Sequence, residues 1–169
     1  MSGTDSTCNE NTYAKLYQKF SEGLWRFAFL KCGDRAEADD LVQEAFIKLW
    51  DNCIKVPPEK AKSFLFTVTN NKFLNMIAHR KIVLDHAALA PRRIENESPE
   101  DVLRQKEFHQ KLQQAIADLS EAQRTAFLLN RIEGKKYHEI AEMLDISVKA
   151  VEKRMSSALQ KLRAEIGDV

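Results

Sequence analysis

Residues 119–163 read LSEAQRTAFLLNRIEGKKYHEIAEMLDISVKAVEKRMSSALQKLR, and this stretch decides the fold of the C-terminal half. Ser120 and Gln123 have the spacing of a capping box, in which each side chain bonds the other residue's backbone N–H. The pattern predicts a helix from Glu121 onward. Gly134, just past that helix, suits the left-handed conformation that commonly ends a helix.

Two further helices are predicted after Gly134. A short amphipathic helix carries apolar residues at Tyr137, Ile140, Ala141 and Leu144. The corner 145–147 follows, and Ser147 is placed to cap a last helix over 148 to about 166. Two short helices joined by a tight corner are typical of a helix-turn-helix, which places its second helix in the DNA major groove.

The last helix separates an apolar stripe from a basic face. The stripe is Val151, Met155, Ala158, Leu159 and Leu162. The candidate contacts to a promoter element on the other sides are Lys149, Glu152, Lys153, Arg154, Ser156, Ser157 and Lys161. Five Lys/Arg and one acid give residues 147–163 a net charge of +4, whereas the whole chain carries +1. Phosphate contacts need such concentrated charge, which favours DNA binding over an ordinary solvated bundle helix.

Composition restricts the function classes. The chain has 169 residues, of which five are Gly and four Pro, so a many-stranded β fold is disfavoured. No apolar run approaches the ~20 residues of a membrane span, and residues 1–11 lack a secretory signal, which predicts a cytoplasmic protein. Three scattered cysteines predict reduced thiols, neither a disulfide framework nor a zinc site. Without a catalytic constellation, metal-ligand spacing or nucleotide loop, we expect no enzyme activity, metal or cofactor.

The N-terminal half also follows a helical period. Apolar repeats predict helices over 12–31, 35–52 and 63–81, with a loop at 53–62. Ser98 and Pro99 predict the start of a further helix that reaches about residue 117. The predicted fold is all-α, with two small helical domains joined by a flexible linker. Their predicted bounds are 8–82 and 98–169, with the linker at 83–97.

The second helix is acidic on its outer face. Six acids against two bases give residues 34–51 a net charge of −4. The predicted core face is Ala38, Leu41, Val42, Ala45, Phe46, Leu49 and Trp50. The outer residues are Asp40, Gln43, Glu44, Ile47 and Asp51. An isolated Ile47 among acids indicates a partner surface, although a single exposed apolar residue is also ordinary.

The third helix combines aromatics, amides and bases. Seven Lys/Arg and one acid give residues 60–93 a net charge of +6. The candidate nucleic-acid contacts are Lys62, Asn70, Asn71, Lys72, Asn75, His79 and Arg80. Single-stranded nucleic acid is held by such basic and stacking groups. The alternative is a core helix whose aromatic residues are simply buried.

Together these features resemble the extracytoplasmic-function (ECF) sigma factors of bacteria, over nearly the whole chain. DLVQEAFIKLW at 40–50 resembles the family's segment that docks on the clamp of core RNA polymerase. FLFTV at 64–68, with Asn71 and Arg80, resembles the helix that reads and melts the minus-ten element. The C-terminal domain resembles the reader of the minus-thirty-five element.

The resemblance implies a transcription initiation factor that performs no chemistry itself. Its partners would be core RNA polymerase, promoter DNA and an anti-sigma factor of a kind that can be membrane-attached, with no small-molecule substrate. The chain departs from the family pattern in carrying Phe64 for the usual Trp, Asn70 for a base, Asn75 for an acid and Asp145 for Gly. The first three bear on promoter sequence, and Asp tolerates the backbone shape of the corner.

Two other classes remain open at this point. A response-regulator type of transcriptional regulator carries a similar helix-turn-helix, but it needs an α/β receiver domain with an acidic phosphorylation pocket. A helical adaptor that binds only protein would not need the concentrated basic segments.

Overall fold

The computed structural model describes residues 6–84 and 103–167, with side chains described for 6–81 and 107–167. These residues form no strand and seven helices: α1 Glu10–Cys32, α2 Arg35–Asp51, α3 Pro58–Leu84, α4 Leu103–Ala117, α5 Glu121–Arg131, α6 Tyr137–Leu144 and α7 Val148–Ile166. The predicted all-α fold is confirmed. The chain divides into two compact units, Met1–Pro91 and Arg92–Val169. The predicted cap at Ser98 lies outside the described residues.

In the N-terminal unit α1, α2 and α3 all pack against one another. The Asn9 side chain caps α1 by accepting from the N–H groups of Asn11 and Thr12. Gly33 ends the helix at φ 70°, where a side chain would strain the backbone. The largest side chains at the centre of the unit are Leu24, Phe27, Leu49, Leu65 and Phe66. This three-helix core excludes an α/β receiver over the described residues.

The third helix is longer at both ends than its apolar pattern predicted. It begins at Pro58 instead of Ser63, because proline fits the first turn, where no N–H is required. Pro57 and Pro58 therefore precede and start the helix, whereas the sequence predicted a loop over residues 53–62. At the other end α3 continues to Leu84, two residues into the predicted linker.

Trp50 was predicted to be a core residue and instead lies at the surface, 42% exposed. The other six residues of the predicted core face of α2 are buried. The Trp50 ring packs edge-on against Tyr13 of α1, with centroids 5.0 Å apart. Trp50 is the last residue but one of α2, and its ring stays partly exposed although Tyr13 packs against it.

The prediction of three reduced cysteines is also wrong. Cys8 and Cys53 form a disulfide whose Cα atoms are 4.9 Å apart, and Cys32 is free. The chain before α1 runs beside the loop after α2, where the buried Thr7 hydroxyl donates to the Val56 carbonyl oxygen at 2.6 Å. Sequence spacing could not reveal the pair, because 45 residues separate the two cysteines and only helix packing brings them together.

The C-terminal unit contains the predicted caps and corner. Ser120 and Gln123 bond each other's backbone N–H at 3.3 and 3.2 Å. Ser147 caps α7 through the Ala150 N–H at 3.1 Å. Asp145 ends α6 in the left-handed region at φ 52°, where the family pattern has Gly. This corner sets the angle between α6 and α7.

Arg124 joins two helices in a way that the sequence did not reveal. Its guanidinium donates to the carbonyl oxygens of Ile116, Ala117 and Leu119 at 3.1, 2.6 and 2.9 Å. The last carbonyls of a helix have no partner within it, so this side chain satisfies those at the end of α4. Arg124 therefore fixes the turn between α4 and α5.

Candidate nucleic-acid and protein interfaces

The acidic face of α2, defined as Asp40, Gln43, Glu44, Ile47 and Asp51, is exposed throughout. Ile47 is 58% exposed at its centre. Two apolar side chains that were not among the predicted contacts extend it, Trp50 and Ile54, the latter 92% exposed. Exposed apolar groups inside a polar rim are typical of a protein interface.

Aromatic residues of α1 support the acidic face from below. Tyr17 packs on Phe46 with centroids 4.7 Å apart and remains exposed. The Tyr13 hydroxyl donates to the Phe46 carbonyl oxygen at 2.7 Å. Burial raises the pKa of Tyr13, and the nearby Tyr17 and Asp51 raise it further, so this hydroxyl keeps its proton. The exposed end of α2 thus rests on a rigid aromatic layer.

An open cleft of about 260 Å³ lies between α1 and α2, beside the acidic face. Its floor is aromatic, and the Trp25 indole N–H donates to an Asp39 carboxylate oxygen at 2.7 Å. The cleft is lined by Tyr17, Ser21, Glu22, Trp25, Asp39, Val42 and Gln43. Carboxylates and aromatic rings lining one cleft suit a basic side chain of a partner protein.

The candidate DNA residues of α3 lie next to α2. Asn71, Asn75 and His79 are exposed. The Lys72 ammonium pairs with the Glu44 carboxylate at 2.8 Å, and Arg80 pairs with Glu37. One residue predicted to bind DNA, Lys72, therefore contacts one predicted to bind protein, Glu44, which sequence analysis did not anticipate.

Lys62 and Asn70 differ in how they are placed on α3. The Lys62 ammonium lies 6.0 Å from the centroid of the Phe20 ring, at a partly exposed position. Asn70 was predicted to contact DNA but is only 5% exposed. Its amide oxygen accepts a hydrogen bond from the Lys31 ammonium, so Asn70 is part of the core and not of the surface.

Lys31 explains why an amide is needed at position 70. The side chain is buried, and its ammonium lies 5.2 and 5.0 Å from the ring centroids of Phe27 and Phe73. A buried ammonium requires polar partners, and aromatic faces add a favourable electrostatic contribution. One signal was present in the sequence: Asn70 falls one turn from both Phe66 and Phe73, on the buried side of α3.

Most of the side chains of α7 that were predicted to contact DNA are exposed. Val151, Met155, Ala158 and Leu162 are buried against the rest of the unit. Lys149, Glu152, Lys153, Ser156 and Lys161 are exposed, whereas Arg154 and Ser157 lie at the boundary and are partly buried. α4, α5 and α6 all pack on α7, so its orientation is fixed by three helices.

The start of α6 is fixed by Glu139. Its carboxylate accepts a hydrogen bond from the Lys136 N–H at 2.7 Å. This bond lowers the pKa of Glu139, and the neighbouring Lys135 lowers it further. A negative group at a helix N-terminus stabilises the helix, here the first helix of the helix-turn-helix.

Among the described residues no group of three or more His, Cys, Asp and Glu side chains has the arrangement of a metal site. Within the same residues, no helix combines the length and apolar character that crossing a membrane requires.

Two family models match the chain, and each match lies entirely within one of its two compact units. Sigma-70 region 2 matches residues 16–82, and sigma-70 region 4 matches residues 109–162. The first match spans α2 and most of α1 and α3, and the second spans α5, α6 and most of α4 and α7.

Curated relatives resemble the chain along most of its length. The ECF RNA polymerase sigma factor SigE of Mycolicibacterium smegmatis is 28% identical over 90% of this chain, which spans 60% of that protein. The ferric citrate uptake sigma factor FecI of Escherichia coli is 28% identical, with 95% of this chain and 94% of FecI covered. SigW of Bacillus subtilis is 24% identical, with 95% and 92% covered.

Solved structures share the fold. The sigma factor RpoE of Bartonella quintana, in complex with the anti-sigma factor NepR, aligns with a TM-score of 0.71 at 21% identity, covering 90% of this chain and 94% of that one. CnrH, in complex with the cytosolic domain of CnrY, aligns with a TM-score of 0.69 at 24% identity, covering 92% and 88%.

Proposed function

Because this chain belongs to the sigma-70 family as an ECF sigma factor, we propose that it binds core RNA polymerase, directs it to specific promoters and aids promoter melting. One observation carries the proposal. The region 2 and region 4 matches coincide with two structural units, and each unit presents the surface that its region would use. The chain itself catalyses no reaction, and it acts in the cytoplasm, where polymerase and promoter DNA meet.

The polymerase-binding surface is the acidic face of α2 extended by Trp50 and Ile54. Its exposed apolar centre would supply the contact that excludes water, and its carboxylates would orient a basic partner. The cleft beside it, lined by Asp39 and Glu22 together with Tyr17 and Trp25, suits an arginine of the same partner.

The minus-ten element is bound by α3 and the minus-thirty-five element by α7. On α3 the contacts are Lys62, Asn71, Lys72, Asn75, His79 and Arg80, without the buried Asn70. Capture of an unpaired nucleobase by these amide and basic side chains would offset the few kcal/mol that unstacking the nucleobase costs. On α7, Lys149, Glu152, Lys153 and Ser156 face the base edges, while Arg154, Ser157 and Lys161 meet the backbone.

An anti-sigma factor is the regulator that fits this chain. The support is the fold likeness to the sigma factor RpoE solved with the anti-sigma factor NepR, and to CnrH solved with the cytosolic domain of CnrY. Such a partner would cover the polymerase-binding and DNA-binding surfaces. Affinity purification from the native host at low inducing signal should recover it. A chain that is fully active at all times with no inhibitor bound would contradict this part of the proposal.

Transcription reconstituted from purified core polymerase tests the proposal directly. Adding the chain should yield transcripts from a specific set of genomic promoters. Asp40→Lys tests the polymerase-binding surface more specifically than a substitution of Glu44 would, because Glu44 also pairs with Lys72 of α3. We expect it to weaken binding to core markedly while helicity is unchanged. Failure of the wild-type chain to bind core, or transcripts that do not depend on promoter sequence, would refute the function.

A further inference from the structure

The N-terminal segment is tied to the loop that follows α2. Cys8 and Cys53 are joined by the disulfide, and beside them Thr7 donates to the carbonyl oxygen of Val56. Thr7 and Val56 are buried, whereas both cysteines are only partly covered. The disulfide is therefore within reach of a solution thiol, and the hydrogen bond beside it is shielded from water.

The disulfide and the adjacent hydrogen bond lie at the end of the polymerase-binding surface. Cys53 follows Asp51 by two residues and precedes Ile54 directly. The Cys53 N–H donates to the Trp50 carbonyl oxygen at 3.1 Å, so the cysteine is part of the turn that ends α2. A constraint on Cys53 thus acts on the backbone that positions Trp50 and Ile54.

We propose that Cys8 and Cys53 form a thiol–disulfide switch that tunes the affinity of this chain for core RNA polymerase; the inference rests on the proposed function. In the oxidised state the end of α2 is held in the conformation described here. In the reduced state residues 6–8 and the loop 52–57 lose that constraint. Ordering them on binding then costs conformational entropy, so the reduced chain binds more weakly.

The chemistry is exchange with a dithiol of the thioredoxin class. A thiolate of the reductant attacks one sulfur of the pair and forms a mixed disulfide. Its second thiol then releases the chain, so two electrons and two protons pass to Cys8 and Cys53 while the reductant becomes a disulfide. The reverse reaction needs an oxidised dithiol or glutathione disulfide. Since a cytosolic pool keeps thiols reduced, the oxidised state would report oxidative conditions.

Cys32 offers a matched control for thiol effects. It lies at the end of α1, where its thiol donates to the Asp34 carbonyl oxygen at 3.2 Å. Burial raises the pKa of the Cys32 thiol, which disfavours the reactive thiolate. Cys32→Ser keeps a donor at this position and leaves the Cys8–Cys53 pair as the one thiol couple of the chain.

The test uses the full-length Cys32→Ser chain equilibrated in dithiothreitol redox buffers of increasing oxidised fraction. Mass spectrometry after alkylation reports the thiols, and titration with core polymerase reports affinity. We expect the reduced chain to bind core about three- to tenfold more weakly than the oxidised chain. Both tryptophans lie in the N-terminal unit, so tryptophan fluorescence should show the midpoint of its thermal unfolding falling by on the order of 10 °C on reduction.

Single-cysteine variants separate the switch from general reductant effects. Cys8→Ser and Cys53→Ser should each match the reduced chain and no longer respond to the redox buffer. Equal core affinity in both redox states would overturn the switch while leaving the proposed function intact. So would free Cys8 and Cys53 thiols at every buffer ratio. An oxidised chain that does not bind core at all would instead overturn the proposed function.

Discussion

Asn70 and Asn71 are adjacent amides with opposite placements on α3. Asn70 is buried beside Lys31, and Asn71 is exposed. The same side-chain chemistry therefore serves the core at one position and is available to DNA at the next. The pair is a matched test of the assignment of the minus-ten surface.

Replacing Asn70 by Ala should reduce stability, because the buried Lys31 ammonium loses an acceptor. We expect a loss of about 1–3 kcal/mol in the N-terminal unit, measured by chemical denaturation with tryptophan fluorescence. Asn71→Ala should leave stability within about 0.5 kcal/mol but impair open-complex formation, measured by permanganate footprinting. Normal promoter melting with the Asn71 variant would contradict the assignment of Asn71 to the DNA-binding surface. Unchanged stability of the Asn70 variant would contradict the assignment of Asn70 to the core.

At the scale of helices, α2 and α3 are linked by two ion pairs, one of which, Glu44–Lys72, joins two proposed surfaces. Glu44 faces the polymerase-binding side and Lys72 the DNA-binding side, yet the two side chains pair at 2.8 Å. Both are partly exposed, so the pair contributes less than about 1 kcal/mol. The pair nevertheless couples the two surfaces, because a protein partner that binds the Glu44 carboxylate would leave the Lys72 ammonium available to DNA.

Glu44→Gln should therefore increase binding of a single-stranded minus-ten oligonucleotide to the isolated chain by about two- to fivefold at low salt. In a Lys72→Ala background the same substitution should have a smaller effect. Fluorescence anisotropy on the four members of this double-mutant cycle measures the coupling. Equal effects in both backgrounds would show that the pair does not hold Lys72 away from DNA.

Two neighbouring residues of α7 should affect DNA binding in different ways when they are replaced. Lys153 is exposed on the side opposite Met155, and Arg154 lies partly buried at its boundary. Lys153→Ala should cost about 1–3 kcal/mol on the cognate minus-thirty-five element and relax preference at one or two base pairs. Arg154→Ala should weaken all sequences about equally and lower the salt slope by roughly one counterion.

Binding of both variants to single-base promoter variants at several salt concentrations distinguishes the two roles. Circular dichroism controls for stability, since Arg154 is partly buried. If both variants lose affinity in the same sequence-independent way, the proposed orientation of α7 on DNA is wrong.

At the scale of the whole molecule, the chain consists of two compact units with different proposed binding surfaces. The unit Met1–Pro91 contains both tryptophans and the disulfide, and the unit Arg92–Val169 contains the helix-turn-helix. Each has its own buried core, which is the property that lets a domain fold alone.

We therefore expect fragments 1–91 and 92–169 to fold independently. The tryptophan-monitored unfolding midpoint of fragment 1–91 should lie within about 3 °C of the full chain. Fragment 92–169 should be helical by circular dichroism and should bind minus-thirty-five DNA with the salt dependence of the whole protein. A fragment that is unfolded alone would show that the units depend on each other.

Local signals in the sequence were sufficient for most of the secondary structure and for α7. Helical periodicity, the caps at Ser120 and Ser147, and the corner at Asp145 each depend on residues within a few positions, and all are present in the fold. The buried stripe and basic face of α7 follow from the same short-range pattern. The start of α3 was misplaced, since a proline can begin a helix as well as precede one.

The contacts between distant residues follow from the packing of the helices and not from the local sequence. The burial of Asn70 beside Lys31, the exposure of Trp50, the Glu44–Lys72 pair and the Cys8–Cys53 disulfide all depend on how α1, α2 and α3 pack. Periodicity indicates which side of a helix is apolar. It does not indicate which other helix packs on each position, or at which residue that packing ends. Such contacts arise from the shape of the three-helix core, which no short stretch of sequence contains.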